Sequence, residues 1–76
     1  MNDIIRRLRC YEKDGDVLIA EIELPPLDLA YLQYLFDISE DNPMYDAYQV
    51  HEKQKIELEK HIDQKINLLD YDYFLQ

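Results

Sequence analysis

The chain has one glycine, one cysteine, three prolines and no tryptophan, and it has a single serine and no threonine. Each shortage removes a class of function. One glycine excludes phosphate-cradling loops, which need several glycines for close backbone approach. The lone Cys10 forms no internal disulfide and fits a reducing compartment. Ser39 has no neighbouring histidine to act as its base. No apolar run approaches the roughly 20 residues that span a bilayer. The start, Met-Asn-Asp-Ile-Ile-Arg-Arg, lacks the apolar stretch of a secretory signal. Basic residues are also scarce, 8 Lys+Arg against 17 Asp+Glu for a net charge of -9. That balance argues against direct contact with a phosphate backbone. What is there is 76 residues, 47% hydrophobic and 12% aromatic. This is too apolar for a disordered acidic tail and too short for two cores. The expectation is one domain, residues 1–76, soluble and cytoplasmic, with no membrane partner.

The few bases are confined to the two ends. Arg6, Arg7, Arg9 and Lys13 lie near the start; Lys53, Lys55, Lys60 and Lys65 lie near the end. From Asp14 to Glu52 there is no Lys or Arg. Nothing inside that stretch neutralises its acids locally, so the middle of the molecule is expected to carry a sustained negative potential. Two readings stand: a solvated face that keeps a small domain soluble, or a docking face for a basic partner.

Periodicity gives the elements. Leu8 and Cys10 alternate with Arg7, Arg9 and Tyr11 in a segment from Ile4 to Glu12, the period of a strand. Asp14-Gly15 is a two-residue hairpin signal, because both types tolerate positive φ. Val17 to Leu24 is the return strand, with Leu18, Ala20, Ile22 and Leu24 on one face. Pro25-Pro26 ends it, and Asp28 stands at an N-cap before a helix whose stripe is Leu29, Leu32, Leu35 and Phe36. Tyr31 and Tyr34 fall toward the edge of that stripe. Ser39 to Pro43 is a loop, and Met44 to Val50 a short third strand. A second helix is expected from His51 to about Asn67, opened by a His51/Gln54 capping-box spacing and seamed by Leu58, Ile62, Ile66 and Leu69. Ile56 falls on its polar side. Leu69 to Leu75 forms a last strand. The fold class is a small α+β domain, a β-hairpin then α-β-α-β, with helices packed on one face of an antiparallel or mixed sheet. At this size net stability is about 3–5 kcal/mol, so a homodimer or a bound partner would add to it.

Chemistry is sparse. Cys10 lies inside a strand, the place of a buried, inert thiol. His51 and His61 are ten residues apart on one expected helix, roughly 15 Å along its axis and too far to share a metal. Asp37, Glu40, Asp41 and Asp46 could gather on Ca²⁺, but their loop lacks the ligand alternation and central glycine of an EF-hand. No catalytic residue, cofactor or metal is assigned. Seven tyrosines in so short a chain point instead to recognition. Tyr45, Tyr48, Tyr71 and Tyr73 each stand within two residues of an aspartate.

The segments Asp41-Asn42-Pro43-Met44-Tyr45-Asp46-Ala47-Tyr48 and Leu69-Asp70-Tyr71-Asp72-Tyr73-Phe74-Leu75, with Glu21-Ile22-Glu23-Leu24-Pro25 and Leu32-Gln33-Tyr34-Leu35-Phe36, resemble a family of small acidic bacterial proteins of uncharacterised function. That resemblance implies a bacterial origin and brings no activity with it. In size, acidity and aromatic content the chain is also similar, as a class and without a shared motif, to immunity proteins that neutralise bacterial toxins.

The resulting expectation is a non-enzymatic module that masks a basic site on a partner protein. Asp37, Glu40, Asp41 and Asp46 would face that site, with Tyr45 and Tyr48 as anchors. Two alternatives remain: an adaptor or regulatory subunit docking through Ile56 or the Tyr71-Phe74 tail, and a nucleic-acid mimic whose spaced carboxylates occupy a DNA- or RNA-binding groove.

Overall fold

A computed structural model describes residues 5–76. The first and second strands are β1 (Arg7–Glu12) and β2 (Leu18–Glu23), and α1 (Leu29–Leu35) follows Pro25-Pro26. A two-residue strand, β3 (Tyr48–Gln49), leads to α2 (Glu52–Leu58), a 3₁₀ turn at Glu59–His61 and β4 (Tyr71–Leu75). Ile4, where the first segment was expected to begin, lies outside the described residues. The strands form one antiparallel sheet in the order β2-β1-β4-β3. The chain is therefore α+β in the expected element order.

Alternation places Leu8 and Cys10 of β1, Ile22 of β2 and Tyr73 and Leu75 of β4 on one face, where all are buried. Leu32 and Leu35 of α1 and Leu58 of α2 close over that face, joined by Leu24, Met44, Val50 and Ile66. The opposite face carries Arg7, Arg9, Tyr11, Asp72 and Phe74, and the Tyr11 and Phe74 rings meet edge-on at 5.8 Å.

Four expectations are corrected. The hairpin is not a two-residue turn: the loop runs from Lys13 to Val17, Asp14 takes φ 56, and Gly15 does not have positive φ. Asp14 can adopt this conformation because its backbone N–H is held by Asp72 Oδ2 at 3.0 Å. In β2 the register passes from Cys10↔Ala20 to Tyr11↔Leu18, skipping Ile19. This bulge turns Leu18 to the face of Tyr11, away from Ile22 and Leu24. The third strand is two residues rather than seven, because Met44 sits in a loop at φ 58. Finally, the second helix ends at Leu58. After the 3₁₀ turn Ile62 is extended (φ -132, ψ 161), and Glu59 Oε2 accepts the Ile66 N–H at 2.6 Å. Ile66 still reaches the core by that route, but Leu69 is 89% exposed, outside the seam. The His51/Gln54 spacing does open α2, with Gln54 Oε1 accepting the His51 N–H at 2.9 Å. Gln54 Nε2 donates to Leu35 O at 2.9 Å and ties the two helices together.

Candidate functional site

The loop between α1 and β3, residues 37–46, holds most of the expected binding residues. It leaves the helix through Asp37 at φ 55 and turns through Met44 at φ 58. A left-handed conformation costs a non-glycine residue roughly 1–2 kcal/mol, so this path needs tethers. Gln33, buried under the loop, supplies two: its Nε2 donates to Asn42 O at 2.7 Å and to Glu40 O at 3.1 Å. Arg6, also buried, supplies two more, from Nη1 to Met44 O at 2.7 Å and from Nη2 to Pro43 O at 3.1 Å. Asn42 folds its own side chain back, with Oδ1 accepting the Met44 N–H at 2.8 Å. Met44 is thereby sunk into the core, while Tyr45 beside it stands 74% exposed.

The structure separates the six expected residues into three kinds. Glu40, Asp41 and Asp46 are exposed, and among the described residues none has a cation within ion-pair distance. Tyr45 is exposed with them. Asp37 is neutralised from α2 by Lys53, whose Nζ lies 3.3 Å from Oδ2 and 5.7 Å from the Tyr34 ring centroid. Tyr48 is half-buried, its ring 6.3 Å from that of Phe36 and its hydroxyl 3.5 Å from Asn42 Oδ1. It supports the loop from inside. Among the described residues no three His, Cys, Asp or Glu side chains converge as a metal site would require.

Two residues that shape the site, Arg6 and Gln33, were not expected there. Each carried a signal. Arg6 shares strand parity with Leu8 and Cys10, which points a charged side chain at the buried face. Gln33 falls at the edge of the helical stripe, one turn after Leu29 and one turn before Phe36, where a polar residue that is buried needs partners.

A second surface lies between the helices. Tyr31, Tyr34, Leu35, Lys53, Ile56 and Glu57 line a groove of about 380 Å³. Ile56 is exposed on its rim, and the Tyr31 hydroxyl lies 3.4 Å from His61 Nε2. Burial, with Glu57 adding to it, holds the Tyr31 hydroxyl pKa above its ordinary value. The Tyr71-Phe74 tail belongs to β4, with Tyr73 and Leu75 buried and Tyr71 and Phe74 half-buried. Cys10 is buried too, and the Ser39 hydroxyl donates to Asp41 Oδ1. No helix among the described residues is long and apolar enough to cross a membrane.

A family model described as a domain of unknown function (DUF7683) matches residues 5–76. No curated protein and no solved structure matches the chain.

Proposed function

We propose that this chain, which belongs to the DUF7683 family and takes no activity from that membership, acts by binding a basic surface on another protein. The observation that carries the reading is the tethered loop. Glu40, Asp41 and Asp46 stand unneutralised among the described residues around an exposed Tyr45, on a backbone held from beneath by Arg6 and Gln33. A pre-set loop spends little conformational entropy on docking. An exposed ring supplies apolar area at the centre of an interface, and the carboxylates steer a cationic partner toward it. In its most concrete form the chain is a cytoplasmic bacterial inhibitor of the immunity type, covering the basic site of a toxin. The -9 net charge, small size and aromatic content support the immunity-type form as a class likeness, and the segments resembling small acidic bacterial proteins support only its bacterial origin.

The test is affinity capture from the native cell, followed by titration of the captured protein at low and high salt. The expected result is affinity that falls steeply with ionic strength and drops about tenfold or more in the Asp41→Lys/Asp46→Lys variant. Unchanged binding of that variant in low salt refutes the reading. The inter-helical groove favours a second reading, an adaptor docking through Tyr34 and Ile56. That mode predicts little salt dependence and loss of binding in Ile56→Asp. A nucleic-acid-binding protein as the captured partner would make the acids a mimic of phosphate charge.

A further inference from the structure

We propose that the open edge of β2 receives an extended strand from a partner protein, one bearing Lys or Arg at alternate positions. β2 ends the sheet on the side away from β4, so only β1 pairs with it among the described residues. Leu24 N–H donates to Arg6 O at 2.9 Å, which sets the phase of the ladder. Antiparallel residues alternate between bonding to their neighbour and facing away. Ile22 and Ala20 therefore bond toward β1, whereas Glu21 and Glu23 turn their N–H and C=O groups to the open edge. The same two residues carry carboxylates on the outer face of the sheet, opposite Arg9 and Arg7 of β1. Beyond them Val17, Leu18 and Ile19 are 51%, 47% and 49% exposed, an apolar run on a strand edge. Edges of this kind are templates for strand addition.

The chemistry of the incoming strand is written in β1. Arg7-Leu8-Arg9-Cys10 pairs with Glu23-Ile22-Glu21-Ala20, base against acid and apolar against apolar. A strand added on the other side of β2 meets the same alternation, so it needs a basic residue opposite Glu21 and another opposite Glu23. Arg9 already lies 2.7 Å from Glu21 Oε2, but no ion pair to Glu23 forms among the described residues. A second copy of this chain is the wrong occupant. Antiparallel pairing across these positions would set four glutamates in one patch between two molecules of charge -9 each. The inference deepens the proposal of a basic protein partner by naming a backbone surface for it, and it rests on that reading only for the sign of the partner's charge.

The experiment is an NMR titration of the full chain with a capped peptide in which Lys alternates with Val. Controls are a peptide of the same composition with its Lys and Val in separate blocks, and one with Glu in place of Lys. The expected result is about tenfold or greater hydrogen-exchange protection gained at the Glu21 and Glu23 amides, with the alternating Lys peptide alone. Glu23→Lys, which keeps the Arg9–Glu21 pair, is expected to weaken that peptide about tenfold. Asp41→Lys/Asp46→Lys is expected to leave it unchanged; a loss there would place the peptide on the acidic loop, overturning the strand-edge inference and sparing the loop proposal. Equal protection by the block peptide overturns the inference, as does protection confined to other strands. So does protection of these amides in the peptide-free protein accompanied by a concentration-dependent dimer in sedimentation.

Discussion

Replacing Gln33 with glutamate changes one side-chain atom and removes the donor that holds the acidic loop. Gln33 Nε2 serves both Asn42 O and Glu40 O from a buried position. Gln33→Glu keeps the volume but at neutral pH presents an oxygen to two carbonyl oxygens. Two lost hydrogen bonds cost about 1 kcal/mol each, and a buried carboxylate left without a donor adds about 1–3 kcal/mol. The sum, about 3–5 kcal/mol, is comparable to the whole net stability of about 3–5 kcal/mol usual at this size. Gln33→Met, neutral and of similar size, is expected to lose only about 2 kcal/mol. The glutamate variant also has a sign in pH. Burial and the facing carbonyls raise the introduced carboxyl above its unfolded value of about 4.3. A raised folded pKa means that the folded state binds the proton first, so acidification from pH 7 narrows the gap to wild type. Once protonated, the acid donates to one carbonyl and the loss falls to about 1–2 kcal/mol. Urea unfolding followed by circular dichroism at pH 7 and pH 5.5 measures both quantities. A Gln33→Glu protein within about 0.5 kcal/mol of wild type at pH 7, or a gap that does not narrow at pH 5.5, refutes the reasoning.

Arg6→Met keeps the aliphatic stem but strips the donors from Pro43 O and Met44 O; the expected loss is about 2–4 kcal/mol in the same urea assay, and a loss below about 0.5 kcal/mol removes Arg6 as a tether. Gly15→Ala is expected to cost less than Asp14→Ala. Asp14 is the turn residue at positive φ, whereas a Cβ on Gly15 meets the exposed Glu12 side chain, 2.6 Å away at Cγ and free to swing aside. Thermal melts rank the two, and the reverse order refutes the turn assignment. The Glu59 carboxylate is held below its ordinary pKa chiefly by the Ile66 N–H, and Asp72 by the Asp14 N–H with Lys13 assisting. Depressed folded values mean that this stability is complete above the unfolded pKa, near 4, and is lost as pH falls through the lower folded values. The melting temperature is therefore expected to hold from pH 7 to about 5 and to decline below about 4, less steeply in Glu59→Gln; an unaltered acid limb in that variant counts against the Glu59 tie.

The elements were legible where local signals and burial agree. Pro25-Pro26 and Asp28 mark the start of α1, and the parity of Leu8, Cys10, Ile22 and Leu24 marks the buried face of the hairpin. The bulge at Ile19 was not legible, because alternation in one strand says nothing of the register against its neighbour. The second helix is shorter than its apolar spacing implies for a different reason. Ile62 and Ile66 continue the Leu58 spacing, but the capture of the Ile66 N–H by Glu59 takes the chain into the core by an extended route. For the loop, the acids and Tyr45 were visible as residues, while their tethers were not. Arg6 reaches its partners across 37 and 38 positions of sequence, a distance over which only the folded chain can pair them.

Charge shows the same gap between sequence and space. Lys and Arg are segregated to the chain ends, yet folding returns them to the acids: Arg9 to Glu21, Lys53 to Asp37 and Lys13 to Asp72, with Lys55 and Lys60 serving Glu59 and Glu57. The pairs in the open, such as Lys53–Asp37 and Lys60–Glu57, add little to stability, roughly 0–1 kcal/mol each. Their larger effect is on the field, since each pair cancels locally and leaves its acid a poor attractor at a distance. Cancellation is uneven. Arg6 is buried on loop carbonyls and neutralises no carboxylate among the described residues, while Glu40, Asp41 and Asp46 on the loop it supports keep their charge. Glu23 at the open edge keeps its charge as well. The acids of the stretch from Asp14 to Glu52 that form no ion pair among the described residues lie in the hairpin loop (Asp14, Asp16), at the starts of the two helices (Asp28, Glu52), and at two places with distinctive backbone (Glu40, Asp41 and Asp46; Glu23). One is a braced loop with an exposed aromatic, and the other is a strand edge with free backbone groups. The proposed recognition role rests on that pairing of charge with backbone, and it stands or falls with the Asp41→Lys/Asp46→Lys and Glu23→Lys variants.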